Sequence, residues 1–233
     1  MNLINQIVNG DCYSVIKEIP NDSIDLIIID PPYQLSKSTT LKSDNNLSKS
    51  MVNLYKEFNS ADVMNGISLN LLDELTRVMK RPNIYIWCNK KQILDYLQYF
   101  VGIHKCSFEI MVWIKSNPIP LCGRNYINDK EFCLYFRKGI PLTTTYETGK
   151  TYWISQTNKK DKVLYNHPTV KPEFIIEMLI GNSSKENDVV LDCFLGSGTT
   201  SAVAKRMKRN YIGIEKDPVF YQTAVDRVNS ITN

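Results

Sequence analysis

The chain has 233 residues, 43% hydrophobic and 22% charged, close to the globular average, which excludes a fibrous, a collagen-like and a wholly disordered protein. Lys plus Arg number 28 and Asp plus Glu 24, a net charge of +4 that suits a polyanionic partner and suits plain solubility as well. The apolar run at 26–29 is far too short to cross a bilayer, and Met1-Asn2-Leu3-Ile4-Asn5-Gln6 lacks the form of a secretory signal, so a cytoplasmic protein with no membrane partner is expected.

Residues 24–29 (Ile-Asp-Leu-Ile-Ile-Ile) form a β-branched run of strand length that stops at Asp30-Pro31-Pro32. Leu71, Leu72, Leu75, Val78 and Met79 recur with a helical period and predict a helix over 69–79. A strand over 83–88, a helix over 91–100 and strands over 108–114 and 131–136 follow. Lys171-Pro172 leads into a helix over 173–179, with proline at the helix start. Beyond it come a strand over 188–192, a helix over 199–207, a strand over 211–215 and a helix over 218–228. The alternation predicts one α/β domain over 1–233 with a mostly parallel sheet.

Two segments break the rhythm. Residues 34–60 are rich in Ser, Lys, Thr and Asn and predict a mobile loop of functional use. Residues 137–166 mix Tyr146, Tyr152, Trp153 and Tyr165 with Lys150, Lys159, Lys160 and Lys162. Rings that stack on bases among cations that neutralise phosphate suit a short DNA-recognition region; a partly packed surface lobe is the other reading. The six cysteines have no C-x-x-C pair and the histidines number only two, so free thiols and no metal site are expected.

Val189-Val190-Leu191-Asp192-Cys193-Phe194-Leu195-Gly196-Ser197-Gly198-Thr199 reads as strand, tight loop and helix start. Gly196 and Gly198 let the backbone come close to a ligand, and the helix N-terminus offers its free N–H groups. Glu215 ends the next strand, roughly 20 residues on, where a βαβ unit holds ribose hydroxyls. The third fingerprint glycine is replaced by Ser201 and no Gly-Lys-Ser/Thr occurs, so neither a dinucleotide nor a Walker loop is indicated. S-adenosylmethionine fits such a loop; a plain glycine turn is the alternative.

Asp30-Pro31-Pro32-Tyr33 follows the Ile-rich strand, where ligands bind in open α/β sheets. The prolines stiffen the segment and leave it without N–H donors there. A carboxylate and a backbone carbonyl can accept both N–H bonds of an exocyclic base amine, and Tyr33 can stack on the base. Transfer of a sulfonium methyl to that amine needs positioning and electrostatics alone.

In this order the motifs resemble the amino-group DNA methyltransferases of the beta class, in which Asp-Pro-Pro-Tyr precedes Phe-x-Gly-x-Gly. Asn9-Gly10-Asp11-Cys12, Trp113-Ile114-Lys115-Ser116-Asn117-Pro118 and His167-Pro168-Thr169-Val170-Lys171-Pro172 resemble further family segments. The resemblance implies a circularly permuted, Rossmann-like, seven-stranded, mostly parallel sheet with one reversed edge strand and helices on both faces. It implies methylation of adenine N6 in a base flipped from double-stranded DNA. Asp30, Pro31, Pro32 and Tyr33 would be catalytic. Asp11, Cys12, Asp30, Lys171, Asp192, Phe194, Gly196, Ser197, Gly198, Thr199 and Glu215 would hold S-adenosylmethionine. A homodimer and a cognate restriction endonuclease are the partners it suggests. Cytosine N4, an RNA base and a protein amide are rival targets, and a catalytically silent DNA-binding subunit is the rival of another class. A nicotinamide oxidoreductase is weaker, because Asp-Pro-Pro-Tyr has no part in hydride transfer.

Overall fold

The structure, a computed structural model, describes residues 3–33, 66–120 and 126–231. The predicted loop 34–60 lies outside the described residues.

The strands, in chain order, are β1 (Gln6–Asn9), β2 (Leu26–Ile29), β3 (Asn83–Cys88), β4 (Ser107–Lys115), β5 (Lys130–Arg137), β6 (Tyr152–Ser155), β7 (Val189–Asp192) and β8 (Asn210–Glu215). They form one eight-stranded sheet in the order β1-β8-β7-β2-β3-β5-β4-β6. Only β5 is reversed; it pairs antiparallel with both β3 and β4. The Rossmann-like α/β fold is as expected, with two corrections. There are eight strands among the described residues rather than seven, and the reversed strand is internal, with β4 and β6 beyond it. The extra edge strand β6 falls inside 137–166, followed by a short helix, α4 (Lys159–Leu164). Strand β6 is four residues long and turns two apolar residues, Tyr152 and Ile154, outward around buried Trp153, so its sequence lacks the polar–apolar alternation that marks a strand.

Among the described residues the helices are α1 (Cys12–Val15), α2 (Leu69–Val78), α3 (Ile93–Leu97), α4, α5 (Glu173–Ser183), α6 (Thr199–Arg206) and α7 (Pro218–Asn229). Helix α3 runs on into a wider π-turn segment, Gln98–Ile103, which accommodates two adjacent buried rings, Tyr99 and Phe100. Every residue of β2 is buried because helices cover both faces. Ile27 and Ile29 pack with α2 residues Leu71, Leu72 and Leu75 on one face. Leu26 and Ile28 pack with α5 residues Ile175, Ile176 and Leu179 on the other.

Strand β2 pairs in parallel with β3 on one side and β7 on the other. From β2 the chain proceeds toward β3, and from β7 it proceeds away to β8. The order therefore reverses between β2 and β7, where an open α/β sheet forms its binding crevice. Asp30 follows the last residue of β2 and Asp192 ends β7, so two distant motifs emerge side by side.

Candidate active site

Asp30 is held on both oxygens. Tyr33 Oη donates to Oδ1 at 2.9 Å, and the Lys171 ammonium donates to Oδ2. Burial raises the Asp30 pKa, and Lys171 pulls against that rise. Tyr33 is turned back on Asp30, and burial followed by the Asp30 charge keeps its phenol protonated well past its ordinary range. Beyond the ring expected to stack on a base, the Tyr33 hydroxyl also fixes the carboxylate. Gln92, almost fully buried, donates Nε2 to the Pro32 carbonyl at 3.3 Å and braces the proline segment. Among the described residues no donor reaches the Pro31 carbonyl.

The glycine loop leaves β7 one strand away. Gly196 has φ 55° and Gly198 φ 83°, the left-handed region. A Cβ on Gly196 would come within 2.8 Å of His167 Nε2, so the imidazole lies directly against the loop. Burial, with Lys171 and Lys162 adding, pushes the His167 pKa down to about 4, so the ring is neutral. Glu215 closes the loop from β8: Oε2 accepts from Gly196 N at 2.7 Å and Oε1 from Asp217 N at 2.8 Å. Strand β1 ends beside it, where Asn9 pairs with Glu215. The chain then turns at Gly10, whose N–H donates to Glu215 O at 3.0 Å, into Asp11, whose carboxylate accepts from Tyr13 N at 3.3 Å, and Cys12, the first residue of α1.

Ser197 and Thr199 are differently engaged from the expectation. Arg227, on α7 and 4% exposed, donates Nη1 to Ser197 O at 3.2 Å, Ser197 Oγ at 3.2 Å and Thr199 Oγ1 at 2.8 Å. Its Nη2 donates to Glu173 Oε1 at 2.6 Å, and its guanidinium lies 3.8 Å from the Tyr165 ring centroid. The hydroxyls thus tie the loop to the last helix. Sequence reasoning did not find Arg227, Gln92 or Glu131; each lies far along the chain from what it holds, and no local pattern marks it.

Asp192 tests whether S-adenosylmethionine fits. Its carboxylate is 6% exposed and accepts from Phe194 N at 3.0 Å, yet no cation pairs with it among the described residues. Burial pushes its pKa up to about 7. A buried carboxylate without a counter-ion, at the start of the loop of Gly196 and Gly198 that Glu215 closes, fits the ammonium end of that molecule. The folded pKa exceeds the ordinary 3.8, so the neutral form is favoured and its contribution to stability fades as pH rises through about 7. A bound ammonium favours the ionised form instead. Affinity for S-adenosylmethionine is therefore expected to rise between pH 6 and 8, with proton release near pH 6.5. Calorimetry in two buffers of different ionisation enthalpy checks this; affinity that falls over that range would refute it.

Glu215→Ala is expected to weaken that affinity roughly 10–100-fold, the worth of one charge-assisted hydrogen bond. Glu215→Gln should fall between, because it keeps an acceptor for the Gly196 amide. Calorimetry on the folded variants decides; unchanged affinity would make Glu215 a loop cap only.

A cavity of about 270 Å³ lies elsewhere, lined by apolar residues that include Leu3, Ile19 and Ile24, at the end of the sheet where β2 and β7 begin. It shares no residue with the carboxylates described here.

The chain matches the DNA methylase family of N6 and N4 enzymes over residues 24–226. It is 32% identical over 250 residues to Type II methyltransferase M.HinfI of Haemophilus influenzae, covering 99% of this chain and 70% of that one. It is 31% identical over 240 residues to Type II methyltransferase M2.LlaDCHI of Lactococcus lactis subsp. cremoris, covering 96% and 88%. Among solved structures, the M1.HpyAVI–SAM complex superposes with a TM-score of 0.67 at 26% identity, covering 95% of this chain and 98% of that one. The PvuII cytosine-N4-specific methyltransferase superposes with a TM-score of 0.72 at 16% identity, covering 97% and 88%, a likeness of fold.

Proposed function

The chain belongs to the N6/N4 DNA methylase family and is an S-adenosylmethionine-dependent DNA methyltransferase, and from that premise we propose that its target is the exocyclic N6 amine of an adenine flipped from duplex DNA. The observation that carries the reading is the Asp30 carboxylate at the end of β2, beside the glycine loop at the end of β7. S-adenosylmethionine, when bound, supplies a methyl group on a sulfonium sulfur. Every other requirement falls on the chain.

The amine lone pair is delocalised into the purine ring, so the amine is a weak nucleophile. Asp30 and the Pro31 carbonyl accept its two N–H bonds and favour the geometry in which the lone pair leaves the ring plane. Asp30, buried and with a raised pKa, can then take the proton that the alkylated amine sheds. Tyr33 and Lys171 stay hydrogen-bonded to that carboxylate throughout and keep it oriented. On the cofactor side, Asp192 would hold the ammonium, a free donor of Lys171 the carboxylate and Glu215 the ribose hydroxyls. Gly196 and Gly198 give close backbone approach, while Asp11, Cys12 and Phe194 would border the adenine. Ser197 and Thr199 would act through Arg227, by holding the loop in shape.

Incubation with labelled S-adenosylmethionine and unmethylated duplex DNA, followed by nucleoside analysis, tests the target. N6-methyladenine is expected; label in N4-methylcytosine, or none in DNA, would overturn it. We further propose that the chain is a single functional domain working as a cytoplasmic homodimer, with residues 137–166 contributing to DNA recognition and a restriction endonuclease as genetic partner. The modest net charge of +4 supports pairing, since two copies double the basic surface that DNA meets. Among the described residues no helix is long and apolar enough to cross a membrane. Sedimentation with and without a short duplex tests the dimer; a one-to-one complex that methylates would defeat it.

A further inference from the structure

The reversed strand has a chemical result. Because β5 runs against β3, with Cys88 opposite Phe132, its first residues lie at the end of the sheet where β2 and β3 finish. Glu131 thereby reaches the Asp30 site, and Lys115, at the end of β4, reaches it from the other side. Lys115 Nζ lies 2.5 Å from Glu131 Oε1, and Lys171 Nζ lies 3.1 Å from Glu131 Oε2 while also paired with Asp30. The result is a chain of alternating charge, Lys115–Glu131–Lys171–Asp30, partly walled by Trp87, whose ring centroid is 4.9 Å from the Lys171 ammonium.

We propose that Glu131 is a positioning residue: anchored by Lys115, it sets a second negative charge against the Lys171 ammonium and so fixes where that ammonium meets Asp30. This rests on the proposed role of Asp30 in receiving the target amine. An ammonium paired with one buried carboxylate is free to swing about it, whereas a second buried charge 3.1 Å from the ammonium holds it in one place. Burial works against Glu131 ionisation, but Lys171 and Lys115 outweigh it and hold its pKa at about 2. The anchor therefore stays charged at any working pH. Burial alone would lower the Lys171 pKa; Asp30 and Glu131 raise it instead.

The groups that face Asp30 are Lys171 before α5, Glu131 and Cys133 on β5, Tyr33 on its own segment, Cys88 on β3, Tyr96 on α3 and Asp192 on β7. Glu131 raises the Asp30 pKa, so a neutral substitute lowers it. In Glu131→Gln the acid limb of the methylation rate is expected to move to lower pH and the rate to fall roughly 10–100-fold. Glu131→Asp keeps the charge, so its limb should stay near wild type and its rate should exceed that of the Gln variant. A part played only in packing gives the opposite ranking, because Gln preserves the shape. If Glu131→Gln fails to fold, Glu131→Gln with Lys115→Met removes both buried partners and carries the same expected limb shift.

Calorimetry of S-adenosylmethionine without DNA gives a reading separate from activity, on the order of tenfold weaker for Gln than for Asp. A wild-type protein that binds but methylates no adenine would sink the target reading and leave the calorimetric ranking to decide on Glu131. A Gln variant equal to or better than Asp in affinity, with an unmoved acid limb wherever one is measurable, would overturn the inference.

Discussion

Replacing Asp30 with alanine is expected to slow methyl transfer roughly 10²–10³-fold, the cost of removing one preorganised electrostatic contact at a reacting group. The loss has two parts. The target amine loses the acceptor that draws its lone pair out of the ring, an interaction that strengthens toward the transition state. Lys171 also loses one of its two carboxylate partners, leaving Glu131 alone to place it. Asp30→Asn should be nearly as impaired, since a neutral amide accepts more weakly and can present its N–H₂ instead. Because β2 ends before Asp30 and its four residues are buried, the fold should survive both changes. Single-turnover assays with circular dichroism on the same samples provide the check. Near-normal turnover in a folded Asp30→Ala protein would remove the carboxylate from the mechanism.

Gly198→Ala should be the most damaging single methyl in the loop. Its φ of 83° is strained for any side chain, and the added Cβ would stand 2.8 Å from Ala224 Cα and 3.2 Å from Ala224 O. Those atoms belong to α7, which Arg227 ties to the loop, so they cannot swing aside as a flexible side chain would. Backbone strain and overpacking together suggest roughly 2–5 kcal/mol of lost stability. For a chain of this length that is a fall in Tm of roughly 5–15 °C. Differential scanning calorimetry would register it. Gly196→Ala meets the edge of an imidazole instead of backbone and should be milder in Tm. A Gly198→Ala protein that melts with the wild type would mean that the loop tolerates a different path.

Much of this was legible in the sequence, and the reasons are local. The Ile-rich strand had to be buried on both faces, and Asp30-Pro31-Pro32 had to end it. The helix over 69–79 declared itself by its period, and Gly196 and Gly198 by their place between a strand and a helix. The unread parts depend on pairing. Glu131 looks like an ordinary charge at the head of an apolar strand until that strand is seen to run backwards. Arg227 sits in a C-terminal helix with nothing nearby to mark it as the brace of a loop 30 positions earlier. Strand β6 belongs to the sheet only because β4 offers it an edge.

The placement of β7 between β2 and β8 bears on how the protein comes into being on the ribosome. Strand β2 and its partner β3 emerge early, but the other edge of β2 waits for a strand made far later. Until then Leu26–Ile29 offers an open apolar row of N–H and C=O groups, the kind of edge that recruits other chains. Insertion of β7 covers that edge and brings the glycine loop to Asp30 in the same event. An incomplete chain can therefore present the base-facing acid without the loop beside it, and competence and protection from aggregation arrive together.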